Sequence, residues 1–376
     1  HRSEFIRENI MLPIDFTNRM KAILGEEYEK FEASYSEVPV RSFRVNTNKI
    51  SEENFEKINP FGGKKIPYAE NGFYFSCDGI GNHPYHHAGM IYIQEPSAMA
   101  PVASVDIQPG WNILDVCASP GGKSTQAAAQ NPDGVLVSNE IIPSRCKTLT
   151  GNIERMGFRN VITTCADAKK IASLYGEVFD LVIVDAPCSG EGMFRKDENA
   201  QNEWSVENVL HCAERQREIL DEIKTTVKTG GLLLYSTCTF SLEENEKNVD
   251  WFLNENDNYE LIDVKDCVKK YTTDGIMFDG CKEKNISRCR RFYPHVAKGE
   301  GQFVALMRKT CGFGIEELPP SALKDIPKNE QKIIFEFLDE TLKSYNRNAV
   351  KKYKDNFVYF DSDFPVPNGA FSCGVT

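Results

Sequence analysis

The chain has 376 residues with a formal net charge of −11, and 41% of its residues are hydrophobic. This length leaves room for two or three domains and a sizeable core. No apolar run is long enough to span a bilayer, so the sequence excludes a membrane-spanning helix and we expect no membrane partner.

The twelve cysteines are scattered along the chain, and no two of them form a C-x-x-C pair. This pattern argues against a zinc ribbon and against a secreted disulfide scaffold. Because free thiols in this number suit a reducing compartment, we expect a cytoplasmic protein.

The negative net charge does not exclude a nucleic-acid partner, because a phosphate backbone meets only a local patch of the surface. Basic residues do form local groups, although the ordinary interpretation of each group is a solvated helix or loop face. These groups are Arg41, Arg44 and Lys49; Arg145 and Lys147; Arg288, Arg290 and Arg291; and Lys343, Arg347, Lys351, Lys352 and Lys354.

The first region, residues 1–97, mixes short amphipathic helices with short strands, and we predict an N-terminal α+β domain there. Helices are predicted over Phe16–Leu24, Tyr28–Tyr35 and Glu52–Ile58, and strands over Ser42–Thr47 and Gly72–Phe75. Three histidines follow, at positions 83, 86 and 87. No Cys or carboxylate stands at the usual ligand spacing from them, so we predict no metal site and a polar packing loop instead.

From residue 98 strands and helices alternate, which predicts a parallel sheet within a domain covering residues 98–311. Its strands are predicted at Ile113–Cys117, Gly134–Glu140, Val161–Cys165, Phe179–Asp185, Leu232–Ser236, Tyr259–Val264 and Phe303–Met307. A helix opens at Pro143, and a longer one with an apolar stripe ends at Gly230-Gly231. Residues 312–376 read as a linker, a helix from Asn329 to Tyr345 and a strand at Phe357–Phe360, which we interpret as the start of a small β-rich domain.

One stretch of the second region, Asn112 to Thr125, reads as strand, glycine turn and helix start, and it predicts a cofactor site. A nucleoside triphosphate is disfavoured, because the first glycine of a phosphate loop would fall at Cys117. NAD is disfavoured too, because G-x-G-x-x-G is absent. S-adenosylmethionine remains, since it has no phosphates to bind and needs only close approach to the backbone at Gly121 and Gly122.

Acidic residues follow the predicted strands at Asp115, Glu140, Asp167 and Asp185. A single acid at a strand end is most often a helix N-cap or a solvated turn. Four of them around a glycine turn favour S-adenosylmethionine, with Glu140 placed for the ribose hydroxyls and Asp167 near the adenine.

Two cysteines, Cys188 and Cys238, follow adjacent predicted strands and should therefore lie at the same edge of the sheet. We interpret Cys146, Cys165 and Cys212 as ordinary packing residues. A thiolate that adds to carbon 6 of cytosine makes carbon 5 nucleophilic toward a methyl sulfonium, and a base must then remove the proton on carbon 5. Two thiols and an acid are the groups that this chemistry needs, but the residues alone do not decide which thiol attacks.

With these residues the sequence resembles the RNA (cytosine-5) methyltransferases of the Sun/Nop type, and most of all the bacterial RsmF/YebU group of ribosomal RNA methyltransferases. The resemblance covers most of the chain. Its motifs are Arg44-Val45-Asn46-Thr47, Gln94-Glu95-Pro96-Ser97-Ala98-Met99, Cys117-Ala118-Ser119-Pro120-Gly121-Gly122-Lys123, Asp185-Ala186-Pro187-Cys188-Ser189-Gly190, Tyr235-Ser236-Thr237-Cys238-Thr239 and Arg291-Phe292-Tyr293-Pro294-His295.

The resemblance implies a Rossmann-like class I methyltransferase sheet, an N-terminal RNA-binding domain and a partial C-terminal PUA-like region. It implies that Cys238 is the nucleophile and that Cys188 assists release of the enzyme from the product. The residues expected to hold S-adenosylmethionine are Cys117, Ala118, Ser119, Pro120, Gly121, Gly122, Lys123, Glu140, Arg145, Asp167 and Asp185. We further expect Asp185 and Lys123 to orient and polarise the target base.

We therefore predict an enzyme that transfers a methyl group from S-adenosylmethionine to carbon 5 of cytosine in RNA. We expect its substrate to be 16S ribosomal RNA or the 30S subunit, and we expect the enzyme to be a monomer. Alternatives are the same chemistry on tRNA, a non-catalytic RNA-binding or assembly factor with the same fold, and a P-loop nucleotidase. Phe194 with Arg195 and Lys196, and Phe292 with Tyr293, are candidates for base stacking, although core packing is the commoner fate of such rings.

Overall fold

The computed structural model describes residues 12–312, 314 and 316–376, so the first eleven residues of the predicted N-terminal domain lie outside the described residues. The predicted α/β class is confirmed. The N-terminal region contains the helices α1 (Ile14–Leu24), α2 (Tyr28–Ser34), α3 (Glu52–Ile58) and α4 (Pro84–His87). Its strands are β1 (Arg41–Val45), β2 (Gly72–Phe75) and β3 (Ile91–Ile93), which form an antiparallel sheet in the order β2-β1-β3.

The N-terminal region has two separate apolar cores. Phe43, Phe55, Phe61 and Phe73 pack together beneath the small sheet. Helices α1 and α2 instead bury their aromatic side chains against the second region. Because rings on both sides of this junction lie in one cluster, the N-terminal helices are attached to the larger region by apolar packing.

The second region contains α5 (Ala100–Ala103), α6 (Gly122–Gln130), α7 (Pro143–Met156), α8 (Ala168–Leu174), α9 (Glu198–Glu203), α10 (Val206–Ile223), α11 (Glu246–Glu255) and α12 (Asp266–Lys269). Its strands are β4 (Asn112–Asp115), β5 (Val135–Asn139), β6 (Val161–Thr164), β7 (Phe179–Asp185), β8 (Val227–Thr237), β9 (Tyr259–Ile262), β10 (Thr273–Asp274), β11 (Arg290–Phe292) and β12 (Gln302–Lys309). They belong to one sheet in the order β10-β11-β12-β8-β7-β4-β5-β6, with β9 also paired to β12.

The centre of this sheet is parallel, as predicted: β8, β7, β4, β5 and β6 are paired in parallel, and β12 joins β8 antiparallel. After β4 the chain moves outward through β5 and β6, then returns to the other side of β4 with β7 and β8. The reversal creates a crevice at the carboxyl ends of β4 and β7, where ligands bind in open sheets of this kind.

The prediction that Gly230-Gly231 ends the long helix is wrong. Helix α10 ends at Ile223, and both glycines lie inside β8. The pairing of β7 with β8 shifts there, because Phe179 pairs with Val227 and Leu181 pairs with Leu232. Gly230 has φ +81°, a conformation that a bulge places on glycine more readily than on other residues.

The last region packs onto the same sheet. It contains α13 (Lys328–Thr341), the hairpin of β13 (Val350–Tyr353) and β14 (Asn356–Tyr359), and β15 (Ser372–Cys373). Strand β15 pairs antiparallel with β6 and forms one edge of the large sheet. The PUA-like character of this region stays a prediction.

Candidate functional site

A cavity of about 890 Å³ opens at the carboxyl ends of the parallel strands. Eight of the predicted site residues line it: Cys117, Ser119, Glu140, Arg145, Asp167, Asp185, Cys188 and Cys238. Ala118, Pro120, Gly121, Gly122 and Lys123 form the turn behind this lining. The cavity is therefore bordered on one side by the glycine turn and the acids, and on the other by the thiols.

The glycine turn positions the start of α6, which begins at Gly122 and so three residues earlier than the predicted start at Thr125. Gly121 precedes the helix with φ +109°, in the left-handed region that favours glycine. A Cβ on Gly122 would lie 3.1 Å from the Gln94 amide nitrogen, so a side chain there would press on the N-terminal region.

Arg44 holds this turn from the N-terminal region. Its guanidinium donates to the Gly122 carbonyl at 2.7 Å, to Thr125 Oγ1 at 2.8 Å and to Gln94 Oε1 at 2.7 Å. Arg44 is buried, so its assignment to a basic group on a solvated face is wrong. Burial lowers the pKa of Arg44 to about 10, which leaves the group charged at neutral pH.

The carboxylates on the glycine-turn side accept hydrogen bonds from nearby backbone. Glu140 Oε1 accepts from the Ile142 N–H at 3.0 Å, and its other oxygen lies 3.4 Å from the Arg145 guanidinium. Asp167 caps α8 by accepting from the Lys170 N–H at 2.7 Å. Both side chains also face the cavity, where their oxygens are suited to hydroxyl and amine donors.

Asp115, one of the four acids predicted to surround the cofactor, does not reach the cavity. It is fully buried under the turn and accepts a hydrogen bond from Ser124 Oγ at 2.6 Å, and it is not among the residues that line the cavity. Burial raises the pKa of Asp115 to about 7. Its contacts therefore serve the strand-to-helix connection.

The two cysteines predicted to share a cavity do so. The Sγ atoms of Cys188 and Cys238 are 3.3 Å apart, and both residues are half-buried at the cavity wall. The hydrogen bond with Cys238, followed by burial, raises the pKa of the Cys188 thiol well above its usual value. In this arrangement Cys188 keeps its proton more firmly than an exposed thiol would.

Lys123 and Asp185 form a partly buried ion pair beside the thiols. Lys123 Nζ lies 2.7 Å from Asp185 Oδ2, and Asp185 Oδ1 accepts from Ser236 Oγ at 2.7 Å and from Gln302 Nε2 at 3.3 Å. Burial by itself would lower the pKa of Lys123, but the charge and hydrogen bond of Asp185 outweigh it, and the pKa is raised. A permanent cation and an oriented carboxylate thus stand at the thiol side of the cavity.

A buried carboxylate that sequence reasoning missed lies beneath Cys188. Glu244 accepts from the Ser189 N–H at 2.9 Å, from Ser189 Oγ at 2.5 Å and from Gln216 Nε2 at 2.8 Å. Burial raises the pKa of Glu244 to about 7, while the bonds from Ser189 oppose the rise. The only sequence signal is the Glu244-Asn245-Glu246 run after the Cys238 loop, which by itself reads as the start of a solvated helix.

The rings considered for base stacking are core residues. Phe194, Phe292 and Tyr293 are all buried, and Phe194 and Tyr293 belong to the cluster that joins the N-terminal helices to the second region. The stacking prediction is wrong for these three side chains, because each is enclosed by other aromatic or apolar groups.

Several basic residues predicted to lie on the surface are buried as well. Arg195 donates to Glu300 at 2.6 Å, and Arg291 pairs with Glu246. Arg290 is buried and bonds to Thr272 and Asp274. The basic side chains that are exposed, and therefore accessible to a polyanion, are Arg41, Lys49, Arg145, Lys147, Lys196, Lys343, Arg347 and Lys354.

The histidine loop has local contacts of its own. His83 Nδ1 accepts from the Tyr85 N–H at 3.1 Å, and its ring packs on Phe61. Among the described residues, no three His, Cys, Asp or Glu side chains are grouped to hold a metal ion. Within the same part of the chain, no helix is long and apolar enough to cross a membrane.

Two family models match the chain. The model described as 16S rRNA methyltransferase RsmB/F matches residues 102–308, and the model for the N-terminal domain of 16S rRNA methyltransferase RsmF matches residues 12–96. The two matches together span the glycine turn, both cysteine loops and the N-terminal region that carries Arg44.

The names of curated relatives agree with the descriptions of these two family models. Ribosomal RNA small subunit methyltransferase F of Vibrio vulnificus is 37% identical over 318 residues, which are 81% of this chain and 65% of the relative. The protein of that name from Klebsiella pneumoniae is 36% identical over 331 residues, covering 84% of this chain and 67% of its own. The chain thus spans about two thirds of the length of these relatives.

Solved structures share the architecture. A methyltransferase homolog protein from Pyrococcus horikoshii superposes with a TM-score of 0.69 at 30% identity, covering 80% of this chain and 96% of its own. NSun6 from Pyrococcus horikoshii with SFG has a TM-score of 0.66 at 21% identity, covering 80% of this chain and 98% of its own. At that lower identity the second likeness shows the fold alone.

Proposed function

Because the chain belongs to the RsmB/F family of 16S rRNA methyltransferases, we propose that it transfers a methyl group from S-adenosylmethionine to carbon 5 of cytosine in 16S ribosomal RNA. The observation that carries this proposal is the pair of sulfur atoms, 3.3 Å apart, at the wall of a cavity that also contains the glycine turn. Covalent activation of a pyrimidine ring needs a thiol beside the donor site, and this cavity offers two.

In the proposed reaction Cys238 is the nucleophile and Cys188 assists release. The Cys238 sulfur forms a bond to carbon 6 of cytosine, and the ring electrons displaced toward carbon 5 take up the methyl group. The proton on carbon 5 then leaves to a base, and the bond between Cys238 and carbon 6 breaks. Cys188, whose sulfur touches that of Cys238, is placed to serve this elimination.

Lys123 and Asp185 are proposed to hold and polarise the base. Their ion pair keeps the Lys123 ammonium charged at the thiol side of the cavity. Asp185 is fixed by Ser236 and Gln302 as well, so its free lone pairs point in a defined direction. Preorganised charges of this kind lower the barrier without reorganising during the reaction.

Membership of a methyltransferase family implies a cofactor of the S-adenosylmethionine type, which supplies an electrophilic methyl group when bound. The chemistry of the cavity fits such a group, because carboxylates at Glu140 and Asp167 face it and match ribose hydroxyl and adenine amino donors. We propose that the turn from Cys117 to Lys123 and the Arg145 side chain complete this site. The volume of about 890 Å³ is sufficient for a ligand of nucleoside size.

For the RNA we propose a bound segment whose target base leaves its stack to reach the thiols, at a cost of about a few kcal/mol. Residues 1–97 are proposed as the RNA-binding region, residues 98–311 as the catalytic domain and residues 312–376 as the start of the PUA-like region. Exposed Arg41, Arg145 and Lys147 supply positive charge on the N-terminal side and at the cavity mouth.

The test is transfer of a labelled methyl group from S-adenosylmethionine to 30S subunits, to free 16S RNA and to tRNA in parallel. We expect label in the ribosomal RNA, no label with Cys238→Ala, and an RNA adduct of Cys188→Ala that survives denaturing gel electrophoresis. Cys311→Ala is the matched control, because Cys311 is an exposed thiol beyond the opposite end of β12. Full turnover by Cys238→Ala would refute the assignment of Cys238 as the nucleophile. Label in tRNA alone would show that the substrate is tRNA and not ribosomal RNA.

A further inference from the structure

The segment that carries Cys188 is held on both sides of that residue. On one side the Pro187 carbonyl accepts from Gln216 Nε2 at 2.9 Å. On the other side the N–H and the hydroxyl of Ser189 both donate to Glu244. Gln216 Nε2 also donates to Glu244, so the two attachments converge on one carboxylate.

The same carboxylate reaches the second cysteine loop through one hydroxyl. Ser189 Oγ lies 2.9 Å from Thr239 Oγ1, and Thr239 is the neighbour of Cys238. The two residues that follow the two cysteines are therefore joined directly, beneath the sulfur atoms. A shift of Ser189 would move both ends of the Sγ–Sγ contact.

Glu244 is completely enclosed, and an ionised carboxyl there is tolerable only because donors surround it. Its three donors come from Ser189 and Gln216, which belong to the Cys188 loop and to α10. Hydrogen bonds to a charged acceptor are stronger than neutral ones, and so they hold the loop more rigidly than packing alone would.

We propose that Glu244 is a positioning residue for Cys188, which fixes the Ser189 backbone and hydroxyl so that the Cys188 sulfur stays in contact with that of Cys238. This inference deepens the proposed function and, for its catalytic consequence, rests on it. Glu244 touches neither sulfur in the hydrogen-bond network, so its effect on the reaction runs through Ser189. Loss of the carboxylate should then weaken the step that Cys188 serves and leave attack by Cys238 in place.

The first measurement is the proximity of the two thiols, without RNA or cofactor. Diamide converts two adjacent thiols to a disulfide, its N=N bond taking up the two protons and two electrons. The rate at which the Cys188–Cys238 linked peptide appears is followed by mass spectrometry in the wild-type chain and in Glu244→Gln. We expect the variant to form it on the order of tenfold more slowly, as the loss of a hydrogen bond to a charged group implies.

Two further variants test whether the change in disulfide rate is specific to the contact between Glu244 and Ser189. Ser189→Ala removes the hydroxyl link from the other side, and it should slow the disulfide in the same direction even if Glu244→Gln fails to fold. Glu177→Gln is the matched control, since Glu177 is a buried carboxylate paired with Lys309 at 3.1 Å before the start of β7. Its disulfide rate should equal that of the wild-type chain.

The second measurement is the amount of RNA adduct under turnover conditions. Glu244→Gln should accumulate adduct as Cys188→Ala does, whereas a role limited to stability would lower adduct and product together. Unchanged disulfide rates in folded Glu244→Gln and Ser189→Ala would overturn the positioning role. If no variant, including Cys188→Ala, forms an adduct and the wild-type chain methylates no RNA, the proposed function fails, and the disulfide rates still decide the role of Glu244.

Discussion

The two sides of the cavity hold their functional groups by different means. On the glycine-turn side Glu140 and Asp167 accept from backbone N–H groups two and three residues further along the chain. On the thiol side Asp185 is bonded to Gln302, which is 117 residues away, and Ser189 to Glu244, which is 55 residues away. The two carboxylates of the proposed cofactor side are thus held by local turns, whereas the polar groups of the proposed reacting side are held by tertiary contacts.

This difference matches the demands of the two tasks. A cofactor site must release its product in every cycle, and side chains held by short turns keep free oxygens toward the cavity. A reacting site must keep its atoms within a fraction of an ångström of the productive geometry, which requires partners from several elements. Substitutions on the thiol side should therefore lower kcat, and those on the turn side should weaken cofactor binding.

The largest expected effect tests the thiol side at its charge pair. Lys123→Met removes the ammonium that bonds Asp185 at 2.7 Å and retains most of the side-chain volume. We expect kcat to fall by about a hundredfold or more, as for other preorganised charges at a reacting centre. Turnover at saturating cofactor and RNA measures this. A variant with unchanged kcat and a weaker cofactor affinity would assign Lys123 to the turn side instead.

The next effect tests the turn side. Glu140→Gln replaces a carboxylate oxygen that faces the cavity with an amide, which no longer offers two acceptors to a diol. The dissociation constant of S-adenosylmethionine should rise by about tenfold, which corresponds to the loss of one charge-assisted hydrogen bond. Calorimetry measures it, and kcat at saturating cofactor should change little. A fall in kcat with unchanged cofactor affinity would contradict the inference that the turn side binds the cofactor and the thiol side carries the reaction.

The sequence predicted those features of both sides that depend on local pattern. The bounds predicted for strand β7 are those of the structure, because its centre, residues 181–184, is buried on both faces and is an uninterrupted apolar run. The shared edge of Cys188 and Cys238 follows from strand adjacency alone. Acids at strand ends are likewise visible, since their bonding is local.

What the sequence could not reveal is which polar side chains become buried. Arg44 reads as part of a basic surface group, yet its partner Gln94 is 50 residues away and encloses it only in the folded state. The burial of Glu244 could not be predicted for the same reason, because its donors Ser189 and Gln216 are distant from it in the sequence. The prediction from the glycine pair in β8 is wrong for a different reason. Gly-Gly is compatible with a turn and with a bulge, and only the pairing of Phe179 with Val227 decides between them.

A smaller effect is expected where the thiol side meets backbone. A Cβ on Gly192 would lie 2.8 Å from the Cys238 carbonyl oxygen and 3.0 Å from that of Gly301. Gly192→Ala should therefore displace the Cys238 loop and lower the free energy of unfolding by about 1–3 kcal/mol. Denaturant unfolding measures it alongside turnover. Gly151→Ala is the control, since nothing lies within 4 Å of its Cβ in α7, and it should be neutral or stabilising.

An effect of comparable size concerns the pH dependence of stability at Glu244. Its pKa in the folded chain, about 7, lies above the ordinary value of 4.5. Between these two values the folded chain keeps a proton that the unfolded chain has lost, so this group lowers stability as pH rises through that window. Glu244→Gln carries no such proton. The free energy of unfolding of the wild-type chain minus that of the variant should therefore fall as the pH rises.

Denaturant titrations at about pH 5 and about pH 7.5 measure this difference, and we expect it to change by about 2 kcal/mol, given about 1.4 kcal/mol for each unit of pKa shift. Asp115, whose pKa burial also raises to about 7, acts equally in both proteins and cancels. A difference that is equal at both pH values would mean that Glu244 titrates as an exposed carboxyl does. The hydrogen bonds from Ser189 and Gln216 would then offset the burial of Glu244 in full, and its carboxylate would be ionised at both pH values.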